Sequence, residues 1–329
     1  MSSSNTSKKV SAVGLAMGIA ETIPGVSGGT IAFIFRIYQE LLSTIKAINP
    51  TTIGLLLRGH FSDFFKAVNG KFLISLLVGM ASGIVIGVFG ISYLLDNYPL
   101  LLWSFFFGLV LASAIYLSKD VNWNTARIAL LVLGGIVAYA ITLISPTNGS
   151  DNLVIIMLSG ILAISALMLP GLSGSFILLL LGMYSTVIGA VKGFLSNPGL
   201  GHNLYVLVAF GIGCLLGLFS FARVLSYTFK RHFHSTMALM IGILIGSLNK
   251  IWPWRIPDQI MDKSNGIVYA WSETHEIAKE NLKIITEQNL LPSGFSSFSS
   301  PQIFQCVLSF LVGMMLIFML SSNGKTKNS

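Results

Sequence analysis

Two short strings carry the polar chemistry of an otherwise apolar chain. They are Pro24-Gly25-Val26-Ser27-Gly28-Gly29-Thr30 and Pro170-Gly171-Leu172-Ser173-Gly174-Ser175. Proline removes a backbone donor and disfavours helix at the residue before it, so each string breaks a helix. A new half-helix is expected to start near Gly28–Thr30 and again near Gly174–Phe176. A helix N-terminus has free N–H groups and about +0.5 charge. Ser27 and Ser173 have the side chain an N-cap needs. Thr30 and Ser175 add hydroxyl donors, and Gly28, Gly29 and Gly174 let an anion approach the backbone. Two such ends facing each other make an anion site, with phosphate a natural guest. The plainer reading is that Pro24, Gly25, Pro170 and Gly171 only kink packed helices; two copies at matching positions weigh against it.

Three charged residues stand in apolar surroundings. Glu21 lies three residues before Pro24, and Leu167 holds the equivalent place before Pro170. Ionisable residues inside a membrane are costly and usually functional, so Glu21 is a candidate proton carrier, or else a structural carboxylate paired with an arginine or backbone. Arg36 lies between Phe35 and Ile37 on the returning half-helix. Its forked guanidinium suits phosphate, with snorkelling or a partnership with Glu21 as alternatives. Arg223, in Phe219–Phe229, is a further phosphate candidate or a snorkelling side chain. His232 and His234 are two residues apart, in a basic loop, and share no helix face. Cys214 and Cys306 sit in apolar runs without metal-ligand spacing, and no Walker loop, GxSxG or HExxH string occurs. No metal, cofactor or catalytic residue is expected.

The elements that must hold these residues are membrane helices. The 329 residues are 53% hydrophobic and only 10% charged, with mean hydropathy +0.79; a soluble domain carries about 25% charged residues. Leu73–Leu95, Leu100–Leu117, Ile128–Ile144, Leu204–Phe229, Thr236–Ile251 and Ile303–Leu320 are apolar runs near the spanning length. They lack the alternation of outer-membrane barrel strands. Ser11–Ile23 is shorter, roughly 20 Å of helix against a hydrocarbon core of about 30 Å. A short helix, a glycine-rich break and a returning helix make a re-entrant hairpin, which is tolerated only where it is buried or lines a cavity.

The chain also repeats. Gly14–Tyr38 aligns without a gap on Gly160–Tyr184, matching Pro24 with Pro170, Ser27 with Ser173, Gly28 with Gly174 and Tyr38 with Tyr184. Further on, Gly83 and Gly87 match Gly213 and Gly217, and Gly108 matches Gly242. The expected architecture is an all-α polytopic membrane protein of two inverted repeats. Each repeat is a re-entrant helical hairpin plus three transmembrane helices. The first repeat spans 11–145 (hairpin 11–47) and the second 157–321 (hairpin 157–193), with tails at 1–10 and 322–329. Paired breaks in two halves are the best sequence pointer to a transporter's binding site.

Charge sets the orientation. One side of this topology holds Lys8, Lys9, Lys46, Arg58, Lys66, Lys71, Lys119, Arg127, Lys230, Arg231, Lys325 and Lys327, against Asp63 and Asp120. The opposite side holds Lys192, Lys250, Arg255, Lys263, Lys279 and Lys283 with eight acids, and its short loops lack Lys and Arg. The positive-inside rule makes both termini cytoplasmic. Met1–Ser7 lack the apolar core of a signal peptide, so the N-terminus is expected to stay with the mature chain. The +8 net charge then reflects loop orientation, not nucleic acid. The 252–301 segment falls outside the membrane, as an interfacial loop or a lid, with a possible surface helix over Trp271–Leu290.

The string AETIPGVSGGT and its partner LPGLSGS resemble the PopT-type polyprenyl-phosphate translocase family, long known as a domain of unknown function. The resemblance covers nearly the whole chain. It implies recycling of undecaprenyl phosphate, the lipid carrier of cell-wall precursors, from the outer to the inner leaflet of a bacterial plasma membrane. Carried over by position, the implicated residues are Glu21, Pro24, Gly25, Ser27, Gly28, Gly29, Thr30, Pro170, Gly171, Ser173, Gly174 and Ser175. The motifs also look like those of undecaprenyl-diphosphate phosphatases, but here no arginine follows Ser173 and no motif histidine is present. Those losses remove phosphoryl-transfer parts.

The mechanism expected is a phosphate head between the two half-helix ends, with Arg36 as counter-charge, a tail in lipid, and rocking hairpins. Inward movement of a negative charge costs about 2.3 kcal/mol per charge per 100 mV, which co-transport of a proton or sodium would offset. A phosphatase and a carrier for small soluble anions remain the alternatives.

Overall fold

The structure, a computed structural model, describes residues 3–22, 27–144, 149–196, 201–262, 268–271 and 282–325. Pro24 and Gly25 lie outside the described residues, as does 272–281.

Helices make up nearly all of it. In the first half, α1 (Ser3–Glu21) leads to α2 (Gly28–Ile34) and α3 (Tyr38–Ala47). Two short helices, α4 (Pro50–Leu57) and α5 (Phe61–Ala67), connect these to α6 (Gly70–Asn97), α7 (Pro99–Ser118) and α8 (Thr125–Leu143). The second half repeats the order with α9 (Leu153–Met168), α10 (Gly174–Leu180), α11 (Tyr184–Ser196), α12 (His202–Arg231) and α13 (Phe233–Ser247). A short 3₁₀ turn, Leu248–Ile251, follows. Three strands come next: β1 (Arg255–Asp262), β2 (Val268–Ala270) and β3 (Leu282–Asn289). The chain ends with α14 (Pro292–Phe295) and α15 (Ile303–Lys325). Among the described residues, α6, α7, α8 and α12 are long and apolar enough to cross a membrane, and the α10–α11 pair, bent by 108°, makes a fifth such segment if it counts as one. Helix α13 is shorter, at 15 residues. Side chains such as Phe89 on α6, Ile136 on α8, Leu215 on α12 and Leu311 on α15 are exposed, as a lipid-facing surface requires.

Caps fix the boundaries. Asn49 and Thr52 form a capping box with Pro50 at the start of α4. Asn124 accepts from Arg127 N–H at α8, and Asn152 from Val154 N–H at α9.

The returning arms differ from the expectation of one helix each. Both break again, between α2 and α3 and between α10 and α11. Ile37 N–H bonds Ala32 O at 3.0 Å, and Met183 N–H bonds Leu178 O at 2.9 Å. Each turn is a Schellman-type stop with its next-to-last residue left-handed: Arg36 at φ +60° and Gly182 at φ +68°. The tail expected over 1–10 is helical from Ser3.

Glycine seams join the elements, and the two halves use the same ones. A side chain at Gly14 would collide with the Leu76 carbonyl, and one at Gly160 with that of Phe210. Gly79 lies on the Ser11 carbonyl, and Gly213 on that of Met157. Gly108 faces Phe310 and Gly242 faces Leu131; Gly313 faces Phe105 and Gly134 faces Leu239. So α7 packs on α15 as α13 packs on α8. These contacts put Gly79 and Gly83 in the places of Gly213 and Gly217, one helical turn before the match made on sequence identity.

The segment after α13 adds a small sheet to the helical architecture. Its strands form an antiparallel sheet in the order β2-β1-β3, with Ile260 opposite both Ile284 and Tyr269. Residues 282–289 are therefore strand, not surface helix. The sheet is anchored by Trp252 Nε1–H to Leu290 O and Trp254 Nε1–H to Pro301 O, both at 2.8 Å.

Candidate functional site

The two motifs meet directly. Ser27 is fully buried and caps α2, its hydroxyl accepting from Thr30 N–H at 3.3 Å and lying 3.2 Å from Thr30 Oγ1. Thr30 Oγ1 in turn accepts from Gly171 N–H at 2.8 Å. A Cβ on Gly29 would stand 2.7 Å from the Leu167 carbonyl, so glycine there sets how closely the halves approach. Tyr38, buried against Phe33 and Phe229, donates its hydroxyl to the Met168 carbonyl. Buried polar groups of this kind must be paired, and here each motif satisfies the other.

Glu21 holds the α2 N-terminus. Its Oε1 accepts from Gly28 N–H at 2.7 Å, from the last turn of α1. The carboxylate thus occupies the place where an external anion would bind that helix end. A Cβ on Gly28 would lie 2.8 Å from the same oxygen.

The second motif is arranged differently. Ser173 is the N-cap of α10 yet makes no capping bond. Its hydroxyl lies 2.8 Å from that of Ser175, which is exposed. Leu167 stands where Glu21 stands in the first half, its Cβ 3.3 Å from a Cβ built on Gly174. Gly171 is left-handed, at φ +89°, and packs against Ser247.

The two arginines are not drawn to the motifs. Arg36 lies beyond the far end of α2, roughly 10 Å of helix away, and pairs with Asp120 at 2.7 Å. Its guanidinium covers the Tyr116 ring at 4.9 Å. It does not pair with Glu21. Around it is a 240 Å³ cavity bounded by Phe33, Tyr38, Asp120, Phe229 and Phe233. Arg223 is exposed on α12, donates to the Phe219 carbonyl at 2.8 Å and lies over that residue's ring, as a snorkelling side chain does.

Sequence reasoning passed over Lys250 and Arg255, treating them only as loop charges. Lys250 Nζ lies 5.0 Å above the ring of Phe176, the residue after Ser175. It pairs with Glu287 at 3.4 Å, and Arg255 joins the same carboxylate at 3.1 Å. Arg255 also stacks on Trp103 at 3.9 Å. Burial pushes the Lys250 ammonium below its usual pKa; Glu287 opposes that shift and Arg255 adds to it. Burial likewise lowers Arg255, against Glu287. The signal that would have found them is the Trp252-Pro253-Trp254-Arg255 string, whose aromatic anchors dock the sheet on the membrane helices.

These features define a multi-pass helical membrane protein whose two broken arms meet in a buried contact. The chain belongs to the undecaprenyl phosphate translocase-like family, whose model matches residues 17–269. It is 42% identical to a polyprenyl-phosphate transporter of Vibrio cholerae serotype O1, over 74% of this chain and 76% of that protein. It is 34% identical to a polyprenyl-phosphate transporter of Staphylococcus aureus, over 73% of this chain and 84% of the relative. No solved structure matches.

Proposed function

We propose that this chain is a flippase that returns undecaprenyl phosphate from the outer to the inner leaflet of the bacterial plasma membrane, with both termini cytoplasmic and no catalytic chemistry of its own. Its relatives' names supply the substrate class. The observation that carries the reading is the meeting of two helix breaks, joined by Gly171 N–H to Thr30, with one N-terminus held by Glu21 and the other without a capping bond. The phosphate takes the open end, at Ser173, Gly174 and Ser175, and then competes with Glu21 for Gly28 and the Ser27–Thr30 turn. Lys250 receives it at the extracellular side and Arg36 releases it at the cytoplasmic side. Arg223 stays at the lipid interface. The two repeats, 11–145 and 157–321, run inverted, and their shared glycine contacts support that arrangement.

Displacing Glu21 from Gly28 leaves a carboxylate in an apolar setting, which favours taking up a proton. That proton offsets the cost of moving phosphate against the membrane potential. The test is leaflet translocation of labelled undecaprenyl phosphate in proteoliposomes with an imposed proton gradient. Glu21→Gln keeps an oxygen for Gly28 N–H but cannot titrate. It should fold, and its transport should no longer respond to the gradient. Gradient-driven transport equal to wild type would remove Glu21 as the proton carrier. Absence of transport by the wild type under proton and sodium gradients alike would remove the flippase reading.

A further inference from the structure

A cavity of about 690 Å³ lies beside the first motif, among α1, α2, α6, α7 and α15. Its wall is apolar: Ala20 and Ile31 at the motif end, Leu102, Phe106 and Leu109 along α7, and Ile317 on α15. The hydroxyl of its one serine, Ser309, is donated to the Leu101 carbonyl at 2.7 Å and so is turned to the backbone. The volume falls within the range of about 300–1,000 Å³ typical of ligand sites. Helix α6 is sealed to α1 by Gly14, Gly79 and Gly83 and packs far less against α7.

The repeat places the wall residues. The glycine contacts match α1 and α2 with α9 and α10, α7 with α13, and α15 with α8. On that match the wall residues Ala20, Ile31, Phe105, Leu109 and Ile317 correspond to Ala166, Ile177, Leu239, Ile243 and Ala138. Both sets belong to packed apolar clusters, so the wall is built from core positions of the repeat.

We propose that this cavity is the binding site for the isoprene units next to the phosphate of a polyprenyl phosphate. This rests on the flippase reading and replaces a tail left wholly in bulk lipid. Ala20 adjoins Glu21, and Ile31 adjoins Thr30, so a molecule with its head at the joined motifs puts its first apolar atoms here. The volume is too small for the whole tail, which continues into the bilayer between α6 and α15. Lipid tails are as apolar as leucine, so the cavity adds no hydrophobic driving force over the bilayer. What it adds is shape: a methyl-branched, unsaturated chain against rings and branched side chains, in preference to a straight acyl chain.

The test is photolabelling of the full chain in phosphatidylglycerol nanodiscs by a polyprenyl phosphate with a diazirine on a head-proximal isoprene. Label is expected on 102–109 of α7 and 16–20 of α1. Unlabelled undecaprenyl phosphate should displace it, and added phosphatidylglycerol should not. Leu101→Trp, which fills the cavity, should cut labelling roughly tenfold, the scale of overpacking. Val85→Trp, on the exposed face of α6, should leave it unchanged and shows that a new tryptophan is tolerated. Label spread over the outer faces of α6 and α15, or displaced equally by phosphatidylglycerol, would overturn the proposal. Specific labelling of a wild type that moves no lipid would keep the site and overturn the flippase reading instead.

Discussion

The two hairpins share a backbone but not a chemistry. In the first, Ser27 caps α2, Thr30 reaches the other motif, and Glu21 takes the Gly28 amide. Its Gly28 and Thr30 amides are satisfied internally. In the second, Leu167 replaces the carboxylate, Ser173 makes no capping bond, and Lys250 stands over Phe176. An anion entering the first arm must displace a carboxylate; one entering the second need not. The arms differ at Glu21 and Leu167, at Gly29 and Ser175 and at Thr30 and Phe176, and in their capping.

The largest effect is expected at the mouth of the second arm. Glu287→Gln would leave Lys250 and the buried Arg255 side by side without a counter-charge. Breaking a buried ion pair from one side costs about 3 kcal/mol at the low end, and Glu287 is partly exposed, so that end applies. A thermal melt in detergent should show a markedly lower midpoint at neutral pH. Burial already holds Lys250 below its usual 10.5, and the loss of Glu287 lowers it further. A base with a depressed folded pKa destabilises the fold fully below that pKa and recovers as pH rises toward the unfolded value. The loss should therefore shrink at alkaline pH, and a melt equally lowered at every pH would mean that packing, not charge, is what Glu287 supplies.

A smaller effect should come from making the second arm resemble the first. Leu167→Glu offers Gly174 N–H the carboxylate that Gly28 already has. A charge-assisted hydrogen bond is worth about 1.5–3 kcal/mol, so substrate binding should weaken about ten- to a hundredfold. Binding of undecaprenyl phosphate by the variant in detergent measures this. Unchanged affinity would place the headgroup away from α10 and undo the division of roles.

Much of this was legible in the sequence because helix breaks are local. Pro170, the glycines and the serines announce half-helix starts at Gly28 and Gly174, and both helices begin there. The partners were not legible. Thr30 with Gly171 and Arg36 with Asp120 are separated by long stretches of chain, and only the packed helices bring them together. The glycine register failed for a simple reason: glycines recur every fourth residue at 79, 83 and 87, so a one-turn slip keeps the identities matched. The sheet was missed because β1 contains Pro257 and charged residues, and its pairing rests on tryptophan anchors, not on alternation within each strand.

The smallest effect, and the cleanest on substrate, concerns Arg36. It occupies the left-handed stop between α2 and α3, where the other hairpin has Gly182. A non-glycine residue in that conformation costs about 1–2 kcal/mol. Its bond to Asp120 returns little, because the guanidinium side chain is 52% exposed and pairs of this kind are worth about 0–1 kcal/mol. Arg36→Gly should thus leave stability within about 1 kcal/mol of wild type, because relief of the backbone offsets loss of the pair. Arg36→Ala keeps the strain and loses the pair, so it should melt lower than Arg36→Gly. A weakly held guanidinium beyond the far end of α2 is free to exchange Asp120 for phosphate. If it does, Arg36→Gly slows release of lipid to the inner leaflet while binding is preserved. If translocation by Arg36→Gly matches wild type, the arginine serves only its contacts with Asp120 and Tyr116 and takes no part in release.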